Sequence, residues 1–218
     1  MTLWLLSAVE GESRDLVAPV RARLASLCAS PPLHARFLNM LSLLEHIGSR
    51  KILASESEKS WHEERLKHLA EETRHAYFFK RTAERLAAQP LGYAHADTLA
   101  APFARFYMGR LDANIARNLG ASLAPLAYLY MSLIVELRAV WAYRLYQSVL
   151  AEQNSAIGLK GLLAEEERHL ESMRAQLNAQ DADFVDRIAV FRNFEDFAFR
   201  RLWRAIEDEC ARSRLAAE

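Results

Sequence analysis

The chain has 218 residues, 51% of them hydrophobic and 26% charged. That is enough apolar material for a buried core, and it excludes a disordered chain. Lys+Arg and Asp+Glu each number 28, so no net field pulls on nucleic acid or anionic lipid, and neither partner is expected. The two cysteines, Cys28 and Cys210, form no C-x-x-C, which excludes a disulfide scaffold, a cysteine zinc site and a rubredoxin-type iron centre.

Apolar residues recur at helical spacing almost everywhere, and the few Gly and Pro residues leave little room for turns, so the fold class is all-α. The N-terminal MTLWLLSAVEGE is apolar for only a few residues and lacks a basic leader. No signal peptide is expected, and the location follows as cytoplasmic. A short helix is predicted over about 19–28, ending before Pro31-Pro32, and a long one over 33–55. The next, over 59–88, is rich in good helix formers and stops at Pro90-Leu91-Gly92. A long connection follows, with Pro102 at the start of its own helix over 103–118. The uncharged stretch 118–135 is long enough to raise a membrane question. Gly120, Ser122 and Pro125 interrupt it and Glu136 ends it, so a buried core helix over about 122–151 is expected. A helix over 157–179 comes next. The tail, 183–214, aligns Phe184, Ile188, Phe191, Phe194, Phe197, Leu202 and Ile206 in one stripe, which suits a helix that covers the bundle or mates two subunits. Short links make 33–55 and 59–88 one antiparallel pair and 122–151 and 157–179 another, with a crossover between them.

The 59–88 helix carries Ala70-Glu71-Glu72-Thr73-Arg74-His75, and the 157–179 helix carries Ala164-Glu165-Glu166-Glu167-Arg168-His169. Both read A-E-E-x-R-H. Glu and His three apart leave one helix face about a turn from each other, so a carboxylate and an imidazole can reach one cation. A single E-x-x-H is a weak signal, but two copies with matching flanks on opposite hairpins are a strong one. Glu45 is the only acid between Leu33 and Ser55, and Glu136 the only one between Ala113 and Ala151. An ionised carboxylate in such apolar surroundings calls for a cation. Glu45 to Glu72 and Glu136 to Glu166 each split into two legs of roughly a dozen residues and a turn, which returns the chain to one level.

The order E…ExxH…E…ExxH resembles the ferritin-like carboxylate-bridged di-iron or di-manganese proteins. The similarity covers about residues 33–180 and implies a single ferritin-like domain over 1–218: a four-helix bundle with a long crossover and extra N- and C-terminal helices, including a C-terminal extension over 181–215. It implies that Glu45 and His75 serve one metal and Glu136 and His169 the other, with Glu72 and Glu166 as bridges. Four carboxylates and two neutral imidazoles balance two divalent ions. Oxygen and imidazole donors suit two irons, with manganese or a mixed Fe/Mn pair as alternatives.

Acid-Glu-x-Arg-His is also the pattern of the bacterial multicomponent monooxygenase hydroxylases. By that resemblance Glu71 would hold His169, Glu165 would hold His75, and Arg74 and Arg168 would neutralise both acids; solvated surface charges are the competing reading. His68, one turn before Glu72, is a candidate extra ligand or pocket residue, or a boundary histidine. Tyr143, two turns beyond Glu136, is a candidate hydrogen-bond donor or a core aromatic. His46 points away from Glu45 and reads as structural. Ser42, Gly48 and Ser49 give the Glu45 face little bulk, which either leaves room for a small molecule or allows close helix packing.

The expected function is a di-iron oxygenase or oxidase. It would act with dioxygen on a small apolar or aromatic substrate, between walls that include Leu41, Leu44, Phe79, Leu133 and Val140, and draw electrons from a separate donor. The alternatives are a rubrerythrin-like peroxidase, a manganese-catalase-like or iron-handling protein using peroxide, and a metal-free helical interaction module in which Arg36 or Arg138 satisfies Glu45 or Glu136.

Overall fold

A computed structural model describes residues 3–55 and 61–215. Those residues form eight α-helices and no strand: α1 (Leu3–Glu12), α2 (Arg14–Cys28), α3 (Pro31–Ser55), α4 (Glu63–Ala87), α5 (Ala101–Leu119), α6 (Ala127–Glu152), α7 (Lys160–Gln180) and α8 (Phe184–Leu215). The expected start of the second long helix at Lys59 lies outside the described residues. The chain divides into two compact units, Met1–Ala25 with Arg110–Phe197 and Ser26–Gly109 with Ala198–Glu218, and the division falls inside α2, α5 and α8.

In the unit made of Ser26–Gly109 and Ala198–Glu218, α3 packs along α4. The His62 ring accepts a hydrogen bond from Arg65 N at the start of α4, and Ala88, in the left-handed region at φ 53°, ends the helix. The connection after α4 is pinned to the hairpin by one amide. Asn39 Nδ2 lies 2.7 Å from Gly92 O, 2.9 Å from Asp97 O and 2.9 Å from Thr98 Oγ1. Lys80 Nζ donates to Asn39 Oδ1 at 2.7 Å and to Leu91 O at 2.9 Å, and sits 3.8 Å from the centre of the Tyr93 ring. Arg36 pairs with Glu209, whose other carboxylate oxygen accepts from Ala100 N at 2.8 Å.

In the unit made of Met1–Ala25 and Arg110–Phe197, α6 pairs with α7 and with α1. The N-terminus corrects the sequence reading. α1 is an additional helix that buries Leu5, Leu6 and Val9, and α2 begins at Arg14 rather than near Pro19. Pro19 is exposed while Val20, Leu24 and Leu27 are buried, so the ring occupies the solvent face, where water serves the carbonyl it displaces. Gly120 stops α5 at φ +64°, a conformation that suits glycine. Pro125 then shapes a 3-10 turn over Ala124–Leu126 that delays α6 to Ala127. The stretch Ala124–Glu152 is the one, among the described residues, long and apolar enough to cross a membrane by length and composition, and 72% of its apolar 18-residue window is buried inside the protein.

The stripe of α8 also departs from expectation. Phe184, Ile188, Phe191, Ala198, Leu202 and Ile206 are buried, but Phe197 is 72% exposed and Phe194 only half-buried. The 3.6-residue period carries Glu195, not a phenylalanine, into the interior. Arg138 meets it there: Nε lies 3.0 and 2.9 Å from the two Glu195 oxygens and Nη2 lies 2.8 Å from Oε2. Nη1 donates to Ser13 Oγ at 2.7 Å and Nη2 also reaches Asp196 at 3.2 Å. A buried charge pair of this kind is tolerated because its hydrogen bonds are satisfied.

Candidate metal centre

Each unit carries its own buried Glu–Glu–His set. In the α3–α4 unit, Glu45 comes from α3 and Glu72 and His75 from α4; all three are buried, and each offers a ligand atom within 4.8 Å of the others. His75 Nδ1 lies 3.9 Å from Glu72 Oε1. In the α6–α7 unit, Glu136 comes from α6 and Glu166 and His169 from α7, again all buried. His169 Nδ1 lies 3.3 Å from Glu166 Oε2 and 3.9 Å from Glu136 Oε1. The Glu-x-x-His spacing puts each pair on one face one turn apart, and the antiparallel partner helix brings the second acid to the same level. Each half therefore gathers two carboxylates and one imidazole.

Local packing makes room for the carboxylates. Gly48 lies one turn beyond Glu45 on α3, and a Cβ there would stand 3.3 Å from Glu72 Oε2. Ser42 does not open space: its hydroxyl donates to Ala76 O at 2.7 Å, the carbonyl next to His75, and also meets Tyr93 OH at 2.8 Å. This small residue ties α3 to α4 beside the acids, which agrees with the close-packing reading of its small size. A serine alternating with leucines on a buried face was the available signal.

The flanking residues fall in graded positions. Glu71 is buried, with Arg74 Nη2 4.0 Å away, while the Arg74 side chain is 53% exposed. Glu165 is half-buried and Arg168 exposed. His68 Nε2 lies 3.5 Å from Glu72 Oε1. Tyr143 is buried on α6. His46 stacks on Tyr93 with centroids 5.5 Å apart, and burial, then the charges of Arg50 and Lys80, hold its pKa below the usual histidine value. Of the expected walls, Leu41, Phe79, Leu133 and Val140 are buried and Leu44 half-buried.

The donor set fits a divalent cation. Two carboxylates and one neutral imidazole carry two negative charges, and like-charged carboxylates this close favour a cation between them. Oxygen and imidazole donors without a thiolate suit a divalent metal ion. Cys28 lies elsewhere, 3.7 Å from His34 Nε2. Burial pushes its thiol up to about 11 and lowers the His34 ring to about 4, which makes a neutral pair rather than an activated thiolate.

Comparison with family models, with curated proteins and with solved structures returned no match.

Proposed function

We propose that this chain is a ferritin-like di-iron oxidoreductase that activates dioxygen to oxidise or hydroxylate a small apolar or aromatic substrate. By the resemblance, Glu45 and His75 would serve one ion and Glu136 and His169 the other, with Glu72 and Glu166 available as bridges. The observation that carries it is the repetition in each unit: a buried acid from one helix meets a buried Glu-x-x-His on its hairpin partner. Two iron ions, when bound, would supply the two-electron redox chemistry that amino-acid side chains lack.

The chain's own residues do the rest. Four carboxylates would offset the charge of two divalent ions. By the resemblance, Glu71 and Glu165 would orient metal-bound histidines through their second ring nitrogens. Leu41, Phe79, Leu133 and Val140 exclude water and favour an apolar substrate. Electrons come from a separate donor protein.

The metal-free alternative names Arg36 and Arg138 as the cations for the buried acids. Arg36 pairs with Glu209, and Arg138 is committed to Glu195, Asp196 and Ser13. Arg138 sits two residues after Glu136, about 200° around the helix from it.

Loading the protein anaerobically with Fe2+ and then admitting oxygen tests the proposal. The expected result is a change in the absorption spectrum with oxygen consumed in step with added reductant. Absence of any oxygen-dependent change would contradict it, and rapid oxygen evolution from added peroxide would replace it with a catalase reading.

A further inference from the structure

We propose that His68 is a third imidazole ligand of the centre, so that α4 presents an H-x-x-x-E-x-x-H array and the two ions are chemically unequal. This rests on the metal reading above and adds a ligand that the E…ExxH…E…ExxH pattern does not contain.

Three observations carry it. First, His68 and His75 flank Glu72 along α4, four residues before it and three after, and both approach the same carboxylate oxygen: His68 Nε2 at 3.5 Å and His75 Nδ1 at 3.9 Å from Glu72 Oε1. Positions i, i+4 and i+7 share one helix face. Second, 3.5 Å is longer than the roughly 2.7–3.2 Å of a good N–H···O bond. Each of the two side chains offers a ligand atom within 4.8 Å of the other, close enough for one cation to take both. Third, the His68 side chain is 11% exposed against 3% for His75, so it closes the set from its more accessible end rather than projecting into water.

The inequality follows from the internal repeat. The position equivalent to His68 on α7, four residues before Glu166, is the apolar Leu162. Only the α4 half has a second imidazole. Nitrogen-richer donors bind later first-row ions more tightly, so an ion held there is favoured over its neighbour, and the two sites fill in sequence rather than together.

The test uses Co2+ alone as the probe, with no turnover. A neutral imidazole bound to Co2+ keeps one N–H, which gives a paramagnetically shifted proton resonance that exchanges in deuterated water. Wild-type protein with two Co2+ is expected to show three such resonances, and His68→Gln two, with at least tenfold weaker binding of the first ion to fill. His68→Gly with added imidazole should regain the third resonance, which separates a ligand from a merely structural residue. Equal melting temperatures of the metal-free proteins would show that the Gln variant folds. Two resonances in wild type, or three retained in His68→Gln, would overturn the assignment while leaving the dinuclear reading intact. Wild-type protein that binds no Co2+ would overturn both.

Discussion

Gly48 and Glu72 are in contact distance across the α3–α4 hairpin: a Cβ on Gly48 would stand 3.3 Å from Glu72 Oε2. The glycine sits inside a helix with no turn to make, where it costs about 0.8–1.0 kcal/mol relative to alanine. What it provides is the space that the carboxylate occupies.

Gly48→Ala should therefore separate stability from binding. The metal-free protein should gain up to about 1 kcal/mol in urea unfolding, because the tip of Glu72 can move aside. The displaced carboxylate should then weaken metal binding about tenfold or more. A variant that gains stability and keeps full metal affinity would show that Glu72 does not need its present position.

Glu136 is the only acid of the largely apolar α6 before its terminal Glu152. Glu136→Gln should leave the metal-free protein as stable as wild type or more so, since a buried charge is removed. Elemental analysis after gel filtration should show the bound ions falling from two per chain toward one. If Glu136 were there only to pair with an arginine, the substitution would lower stability and change no bound metal.

The Arg138–Glu195 pair is a separate, structural charge site. Removing one partner breaks this buried pair, so Arg138→Met should cost about 3–5 kcal/mol, and Glu195→Leu less, because Asp196 still faces Arg138 at 3.2 Å. Combining Arg138→Met with Glu195→Leu should recover much of that loss. Urea denaturation of the two single variants and the double variant measures the coupling, and additive losses would contradict the account.

His34 gives the fold a pH dependence of defined sign. Burial lowers its pKa from 6.5 to about 4. The unfolded chain therefore takes up a proton near pH 6.5 that the folded chain refuses until about pH 4. Stability linked to His34 is full above pH 6.5 and is lost as the pH falls through that window, on the order of 2 kcal/mol in all. His34→Gln should flatten this part of the unfolding profile relative to wild type. Parallel profiles for the two proteins would contradict the assignment.

Much of this was legible in the sequence, for physical reasons that differ by residue. α3, α4 and α7 carry strong helical periodicity with clear stops, so their limits fall within a few residues of expectation wherever the structure describes them. Glu45 and Glu136 stood out because each is a single charge in an apolar run. α1 was missed because ten residues with a glycine near the end give little periodicity, and α2 was cut short because an exposed proline was taken as a start. Phe197 was misplaced because composition cannot reveal that Glu195 turns inward: that depends on Arg138, which lies far away in sequence on α6. Ser42 shows the same limit, since a hydroxyl bonded to Ala76 O depends on a neighbour supplied by the fold, whereas the place of His68 beside Glu72 follows from their i,i+4 spacing.

The most direct measurement of the central claim is iron content together with the Mössbauer spectrum of protein loaded with 57Fe. Two irons per chain in a magnetically coupled pair are predicted, with the count lowered by both Glu45→Ala and Glu136→Ala. Isolated uncoupled irons, or protein that retains none after anaerobic loading and gel filtration, would contradict it.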